Sequence, residues 1–543
     1  MICENERRVI PVSGRRIEAR FIQRRQGVTQ EVILAVDCGT QSLRTLIFSL
    51  KGEMLARAQV DYEPHETPNP GWAEKDPEVY WESLIQGCDT LRRDHGDLFG
   101  RIQGVGVTTQ RSSMVNVDRE GRVLRPAIIW LDQRKARPRI GGKGPLKHLL
   151  KYTGLENMVV GIQSQGKCSW IRDNQPDIWE ATHKYLQISG FLNLRLTGQS
   201  RDSVASQIGH LPFNYRKMKW AAGHELPSLF FPVEREKLPE LVNPGEPIGG
   251  ISRKASRLTG LPQGLPVIAC GSDKGCETLG AGVLDETMAS LSFGTTATVQ
   301  TTTRKYFEPI RFMPPYPASV PGHYNPEVEI FRGFWMITWF KKEFAHKEVE
   351  EAGARGMAPE ELLDLHLAAT RPGAMGLVVQ PYWGPGLEHP GAKGAMIGFG
   401  DIHTKAHIYR AVIEGLAFAL REGLEKMEKR GKFKVQRAAV SGGASQSDEI
   451  CRIAADILGI PMVKGRTHET SGLGAAIITA RGLGHFSSFE DAAAAMARVE
   501  RVFEPDSAHV PIYQELYHKV YKKMFRALSP LYNNIRDITG YPE

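Results

Sequence analysis

The chain is poor in the marks that assign a protein quickly. Its seven cysteines, Cys3, Cys38, Cys88, Cys168, Cys270, Cys276 and Cys451, are scattered, odd in number and never spaced C-x-x-C. That pattern excludes a disulfide framework and a cysteine-built zinc site, and it reads as reduced thiols of the cytoplasm. No uninterrupted apolar stretch is long enough to span a bilayer, and the N-terminus lacks the apolar core of a secretory signal. There is no G-x-x-x-x-G-K-[ST] loop and no H-E-x-x-H, and 472-GLGAA-476 follows no clear strand and lacks the third glycine of a dinucleotide fingerprint. Serine loops such as 271-GSDKG-275 do not match the G-x-S-x-G elbow of hydrolases.

What is present describes a globular protein in two parts. At 543 residues the chain exceeds what one core organises, since cores stop growing at roughly 250 to 300 residues. A hydrophobic fraction of 41% and a charged fraction of 24% are those of a folded chain. The net charge of +8 is spread among interleaved acids and bases, except in the arginine-rich first 30 residues. That segment reads as a disordered basic extension rather than a nucleic-acid arm.

Periodicity places a β-meander first: 32-VILAVD-37, 45-TLIFSL-50 and 53-EMLARAQVDY-62. A helix follows over 77–94, with Asp76 as its cap and Pro77 at its first position. Strands at 103–109 and 126–134 come next, and the alternation from there implies an α/β fold with mixed sheets. The segment 289-ASLSFGTTATVQTTT-303 repeats the plan of the first hairpin, two β-rich runs joined by a G-T turn, which predicts two related domains divided near residue 283. Beyond it lie a long amphipathic helix over 405–430, a strand-SGG-helix unit over 435–459, and a helix over 470–484 whose small residues suit close packing.

These hairpins carry chemistry. In D-x-G-T the glycine lets backbone N–H groups approach a ligand, the threonine adds a hydroxyl and the aspartate can hold a hydrated metal, a combination suited to metal-phosphate. The SGG turn ahead of a helix can receive another anion. Phosphoryl transfer is the chemistry these elements support best. Asp273 in 271-GSDKG-275 reads, by itself, as a turn residue.

In order along the chain, DCGTQSLR, TTQRSSMVNVD, NPGWAEKDPEVYW, SQGKCSWIRDN, GSDKGCETLGAG, SFGTTATV, AMIGFGDIHTKAHIYRAVIEG, SGGASQSDEICRIAADILGIP and SGLGAAIITARGLG resemble the FGGY carbohydrate kinases, which include glycerol kinase and xylulokinase. The resemblance implies an actin-like ATPase (ribonuclease H-like) fold of two duplicated domains, a sugar-binding one over 31–283 and a nucleotide-binding one over 284–543. It implies ATP as phosphoryl donor, Mg²⁺, and a small sugar or polyol in the cleft. Neither nucleic acid nor membrane is an expected partner, and homodimerisation stays open.

Residue by residue, the resemblance casts Asp37 as the carboxylate that holds Mg²⁺ through water. Thr40, Gln41, Ser42 and Arg44 form the first phosphate hairpin, Gly294 and Thr295 the second, and Gly442, Gly443 and Ser447 the turn that receives the nucleotide. Asp273 stands where the family places its general base, and Arg111, Ser112, Trp130, Gln163 and Lys274 fall at substrate positions. Lys274 is either a solvated charge or an inward group acting on Asp273. Ser112, Ile162 and Thr298 stand where glycerol kinase has glutamate, tyrosine and phenylalanine, which favours a ketose or polyol longer than glycerol. Glycerol itself is the alternative, and a non-catalytic actin-like regulatory protein is the alternative of another class. Glu414, inside the long helix, reads as a helix-pair residue, and Phe334 and Trp335 depart from the small residues usual beside the nucleotide.

Overall fold

The computed structural model describes residues 31–138, 152, 156–330, 332–383 and 391–541; the basic extension over 1–30 lies outside them. Twelve strands matter for the site. The first six are β1 (Val32–Cys38), β2 (Ser42–Ser49), β3 (Met54–Asp61), β4 (Ile102–Thr109), β5 (Pro247–Gly250) and β6 (Pro266–Ser272). They form one sheet in the order β5-β6-β4-β1-β2-β3. The others are β7 (Met288–Phe293), β8 (Ala297–Gln300), β9 (Glu327–Ile330), β10 (Arg437–Ser441), β11 (Met462–Gly465) and β12 (Val499–Phe503), ordered β9-β8-β7-β10-β11-β12.

The two sheets share one plan. Each has a three-stranded antiparallel meander whose innermost strand, β1 or β7, pairs in parallel with the next strand of the sheet. A further parallel strand and an antiparallel edge complete each sheet. The echo of the G-T hairpins is therefore a duplicated sheet. One difference separates the halves: the antiparallel edge precedes its neighbour in the chain in the first sheet and follows it in the second.

Helices cover the faces. Helix α1 (Glu78–Asp94) begins where Asp76 Oδ1 accepts the Glu78 N–H at 3.0 Å, and it buries Tyr80, Trp81, Leu84, Cys88 and Leu91 against the first sheet. That spacing of about four residues is one face of a helix. Helix α2 (Asp273–Gly280) leaves β6 directly, capped by Ser272, whose hydroxyl accepts from Gly275 N–H. In the second half, α3 (Lys405–Gly431) and α4 (Asp448–Leu458) pack with β7, β8 and β10 around a core that includes Leu291, Val299, Leu416, Phe418 and Ile453. Glu414 in α3 accepts from Gly373 N–H and Tyr513 and pairs with Arg410, so it is a structural residue as read.

The last two helices cross back. Helices α5 (Thr470–Gly482) and α6 (Phe489–Met496) lie beyond the expected division near 283, yet they pack on the first sheet. Leu473, Ile477, Phe489 and Met496 share a core with Ile33, Leu46, Phe48 and Ile268. Each such apolar side chain contributes roughly 1.5–3 kcal/mol on burial. Helix α5 runs in backbone contact with α2: a Cβ at Gly474 would sit 1.9 Å from the carbonyl oxygen of Cys276, and one at Gly280 would sit 2.0 Å from that of Thr470. The small residues of 470–482 thus serve close packing, as their composition predicts. Because two backbones meet there, neither can yield as a flexible side chain would.

Gly474→Ala should lower stability by about 1–3 kcal/mol, the usual cost of overpacking a well-filled site. Urea unfolding followed by circular dichroism reads this as a fall in the transition midpoint. A midpoint equal to that of the unaltered protein would contradict the tight α2–α5 contact.

Candidate active site

The parallel strands β1, β4 and β6 end side by side, with Asp37 in register with Thr108 and Ser272 in register with Thr109. Their carboxyl ends therefore present Asp37, Arg111 and Asp273 to one crevice, the place where open α/β sheets bind ligands. Asp37 is buried, and its cross-strand partner Arg44 reaches it at 3.2 Å. Arg44 also lies 3.5 Å from Glu469, which Arg57 meets from its other side at 3.2 Å. Burial, opposed by Arg44 and reinforced by Asp273 and Glu469, pushes the Asp37 carboxyl up to about 7. A carboxylate so short of positive charge is suited to a cation.

The first hairpin turns tightly, with Gly39 N–H donating to Ser42 O at 3.0 Å. Thr40 Oγ1 accepts from Trp130 Nε1 at 3.0 Å, and Trp130 is 42% exposed. An indole open to solvent and tied to the hairpin lines the cleft rather than filling a core. Gln41 is exposed and Ser42 buried. Ser112 adopts a left-handed backbone (φ 55°), its hydroxyl donating to Ile208 O at 3.3 Å. The half-buried Lys167 donates from its ammonium to the Ser112 carbonyl, and desolvation lowers its pKa to about 7. Gln163 is buried in the helix Glu156–Ser164.

Asp273 opens α2. One carboxylate oxygen accepts the Lys274 N–H at 2.8 Å, and Arg111 Nε stands 3.9 Å away. Burial raises its pKa above the ordinary carboxylate value, with Arg111 and Lys274 pulling the other way. Arg111 spends both Nη groups on Glu327 of the second sheet, at 3.1 and 3.2 Å, and lies over the Tyr316 ring. Lys274 points inward: its ammonium donates to Glu277 at 2.6 Å and to Ser292 on β7 at 2.8 Å, while Ser441 on β10 donates to the other oxygen of Glu277. Burial disfavours the Lys274 cation, but Glu277 and Asp273 outweigh it and raise its pKa. Of the two sequence readings for Lys274, the inward one holds.

On the facing side, Gly442 adopts φ 84°, and a Cβ there would stand 2.9 Å from Gly294 N. The Gly442–Gly443 turn thus rests on the Gly294–Thr295 hairpin, and Gly443 and the exposed Thr295 leave open space beside them. Phe334 is a core residue: it stacks on Phe293 with ring centroids 4.5 Å apart, and its N–H donates to Gly294 O. The Ser447 hydroxyl is engaged locally, capping α4 and donating to Asp364 at 2.6 Å.

Sequence reading missed Glu277, Glu327, Glu329 and Glu469. Glu327 and Glu329 had a faint signal, two acids on one face of the otherwise apolar strand β9. Glu469 had none, since its importance comes from meeting Arg44 and Arg57 across more than 400 positions.

Comparison with known proteins agrees with this geometry. Residues 32–280 match the N-terminal domain model of the FGGY family of carbohydrate kinases and residues 289–483 match its C-terminal domain model. A xylulose kinase of Lactococcus lactis is 28% identical over 92% of this chain and 97% of its own length; a glycerol kinase of Deinococcus radiodurans is 29% identical over 88% and 93%. Among solved structures, a xylulose kinase from Rhodospirillum rubrum superposes with a TM-score of 0.78 at 25% identity, covering 93% of this chain and 100% of that one. A Plasmodium falciparum glycerol kinase with ADP superposes with a TM-score of 0.72 at 18% identity, covering 91% and 98%, a likeness of fold. With both domains matched in order, and with the duplicated sheets and paired glycine hairpins facing one crevice, the chain belongs to the FGGY family of carbohydrate kinases.

Proposed function

We propose that this kinase transfers the γ-phosphoryl group of ATP to a hydroxyl of a ketose or polyol longer than glycerol, with Asp273 as general base. The observation that carries the reading is the position of Asp273. It stands at the mouth of α2, half-buried, with no cation among the described residues closer than Arg111 Nε at 3.9 Å, at the end of the strand row that also presents Asp37. A carboxylate held this way can accept a hydroxyl proton as the oxygen attacks phosphorus.

The remaining residues take positioning roles. The hairpin 39–44, the hairpin at Gly294–Thr295 and the Gly442–Gly443 turn supply backbone donors to phosphate oxygens. Trp130 and the backbone around Ser112 bound the sugar, with Gln163 behind. Arg111, tied to Glu327, stays a fixed positive charge beside the base. Asp37 would hold Mg²⁺ together with the nucleotide phosphates, and the ion would offset charge on the transferred group. Relatives named xylulose kinase and glycerol kinase, and a neighbour solved with ADP, support nucleotide-dependent sugar phosphorylation. The buried cysteines with no disulfide among the described residues support a reducing cytoplasm.

A screen of pentuloses, hexuloses, alditols and glycerol for sugar-dependent ADP release should find turnover on a ligand longer than glycerol. Asp273→Asn should lower kcat by roughly 10² to 10⁴, the usual worth of a positioned base. Turnover that survives the substitution removes Asp273 from the role; nucleotide binding without turnover on any sugar supports a regulatory protein instead. The pH profile has a predictable sign. The base works only when deprotonated, and burial raises its pKa, so the acid limb of kcat/KM should fall at a higher pH than an ordinary carboxylate gives. A limb at or below the ordinary carboxylate range would count against this assignment.

A further inference from the structure

The second sheet turns a polar face toward α2, and its register shows how the residues line up. Along one row, Ser292 pairs with Thr298 and Thr298 with Glu329; along the next, Ser290 pairs with Gln300 and Gln300 with Glu327. Thr278 of α2 donates to Gln300, and Lys274, one turn nearer the start of α2, donates to Ser292. The row of Glu329 therefore lies level with the turn of α2 that carries Asp273. Residues two apart on a strand share a face, so Glu329 looks the same way as Glu327, whose carboxylate reaches Arg111.

Glu327 is fully engaged by Arg111 and Gln300. Glu329 is half-buried and has no hydrogen-bond or ion-pair partner within reach among the described residues. It is near enough to Arg111 and Lys274 to feel both, yet burial and Glu327 push its carboxyl up to about 7. Arg111 is committed to Glu327 and Lys274 to Glu277, so neither of the cations that Glu329 feels among the described residues is left over for it. A half-buried carboxylate with no protein donor keeps its acceptor sites for a ligand's hydroxyl.

We propose that Glu329 is a specificity-determining residue of this cleft: it accepts a hydrogen bond from a substrate hydroxyl remote from the one phosphorylated, and it turns away ligands carrying a carboxylate there. The inference rests on the kinase reading above and narrows its substrate to neutral, polyhydroxylated sugars or alditols.

The test is steady-state ADP release by the unaltered protein, Glu329→Gln and Glu329→Asp, with neutral ketoses and alditols and with the matching aldonates. Glu329→Gln should raise KM for the preferred neutral sugar roughly tenfold to a hundredfold, the worth of a hydrogen bond to a charged acceptor, with the loss in KM rather than kcat. Its aldonate-to-neutral ratio of kcat/KM should rise at least about tenfold, while Glu329→Asp, which keeps the charge, should preserve the discrimination. The thermal midpoint should not fall, since burial and Glu327 already disfavour the carboxylate and it supports no other residue. Sugar-dependent turnover in the unaltered protein with KM and the ratio unchanged in Glu329→Gln would overturn the role of Glu329 alone. Absence of sugar-dependent turnover in the unaltered protein would overturn the kinase reading and this inference with it.

Discussion

Charge brought into a narrow crevice must be matched, and that requirement organises this molecule. Asp37 and Asp273 sit at the ends of β1 and β6, the parallel strands that flank β4, where burial raises both carboxyls. Each is met by an arginine that another acid shares: Arg44 between Asp37 and Glu469, and Arg111 between Asp273 and Glu327. Buried ion pairs of this kind contribute little net stability, because desolvation offsets attraction. Their effect is to fix orientation, and here they fix two carboxylates while leaving each with incomplete compensation.

The same pairs join the halves of the chain. Glu469 heads α5 and comes from the second half; Glu327, Ser292 and Ser441 belong to the second sheet; their partners lie on the first sheet or on α2. The apolar contact of α5 and α6 with the first sheet sets these groups in range, and the glycine contact between α2 and α5 removes slack. Any opening of the crevice would have to exchange these polar contacts for water or ligand, and a sugar with many hydroxyls is well suited to replace them.

Much of this was legible in the chain. The meander, the repeated G-T hairpin and the small-residue helix are local patterns, and each appears where periodicity placed it. The helix at 78–94 starts within a residue of its Asp-Pro signal because capping is local chemistry. Asp37 could be singled out as the close of an apolar run in a D-x-G-T hairpin, whereas Asp273 by itself read as a turn residue and only the resemblance to the FGGY kinases marked it as a base. Lys274 could not be decided, since its ammonium is held by Ser292, a residue on another domain's strand. Arg111 likewise gave no sign that both Nη groups were committed to Glu327, 216 positions away.

Sequence by itself determined the two sheets, their glycine turns and the carboxylates at the strand ends, since hydrophobic period, turn chemistry and capping act over a few residues. Only the tertiary structure decided which cation answers which acid, that α5 and α6 return to the first sheet, and that Glu329 has no hydrogen-bond or ion-pair partner among the described residues. Those outcomes depend on distances between segments hundreds of residues apart, which packing sets and local pattern does not encode.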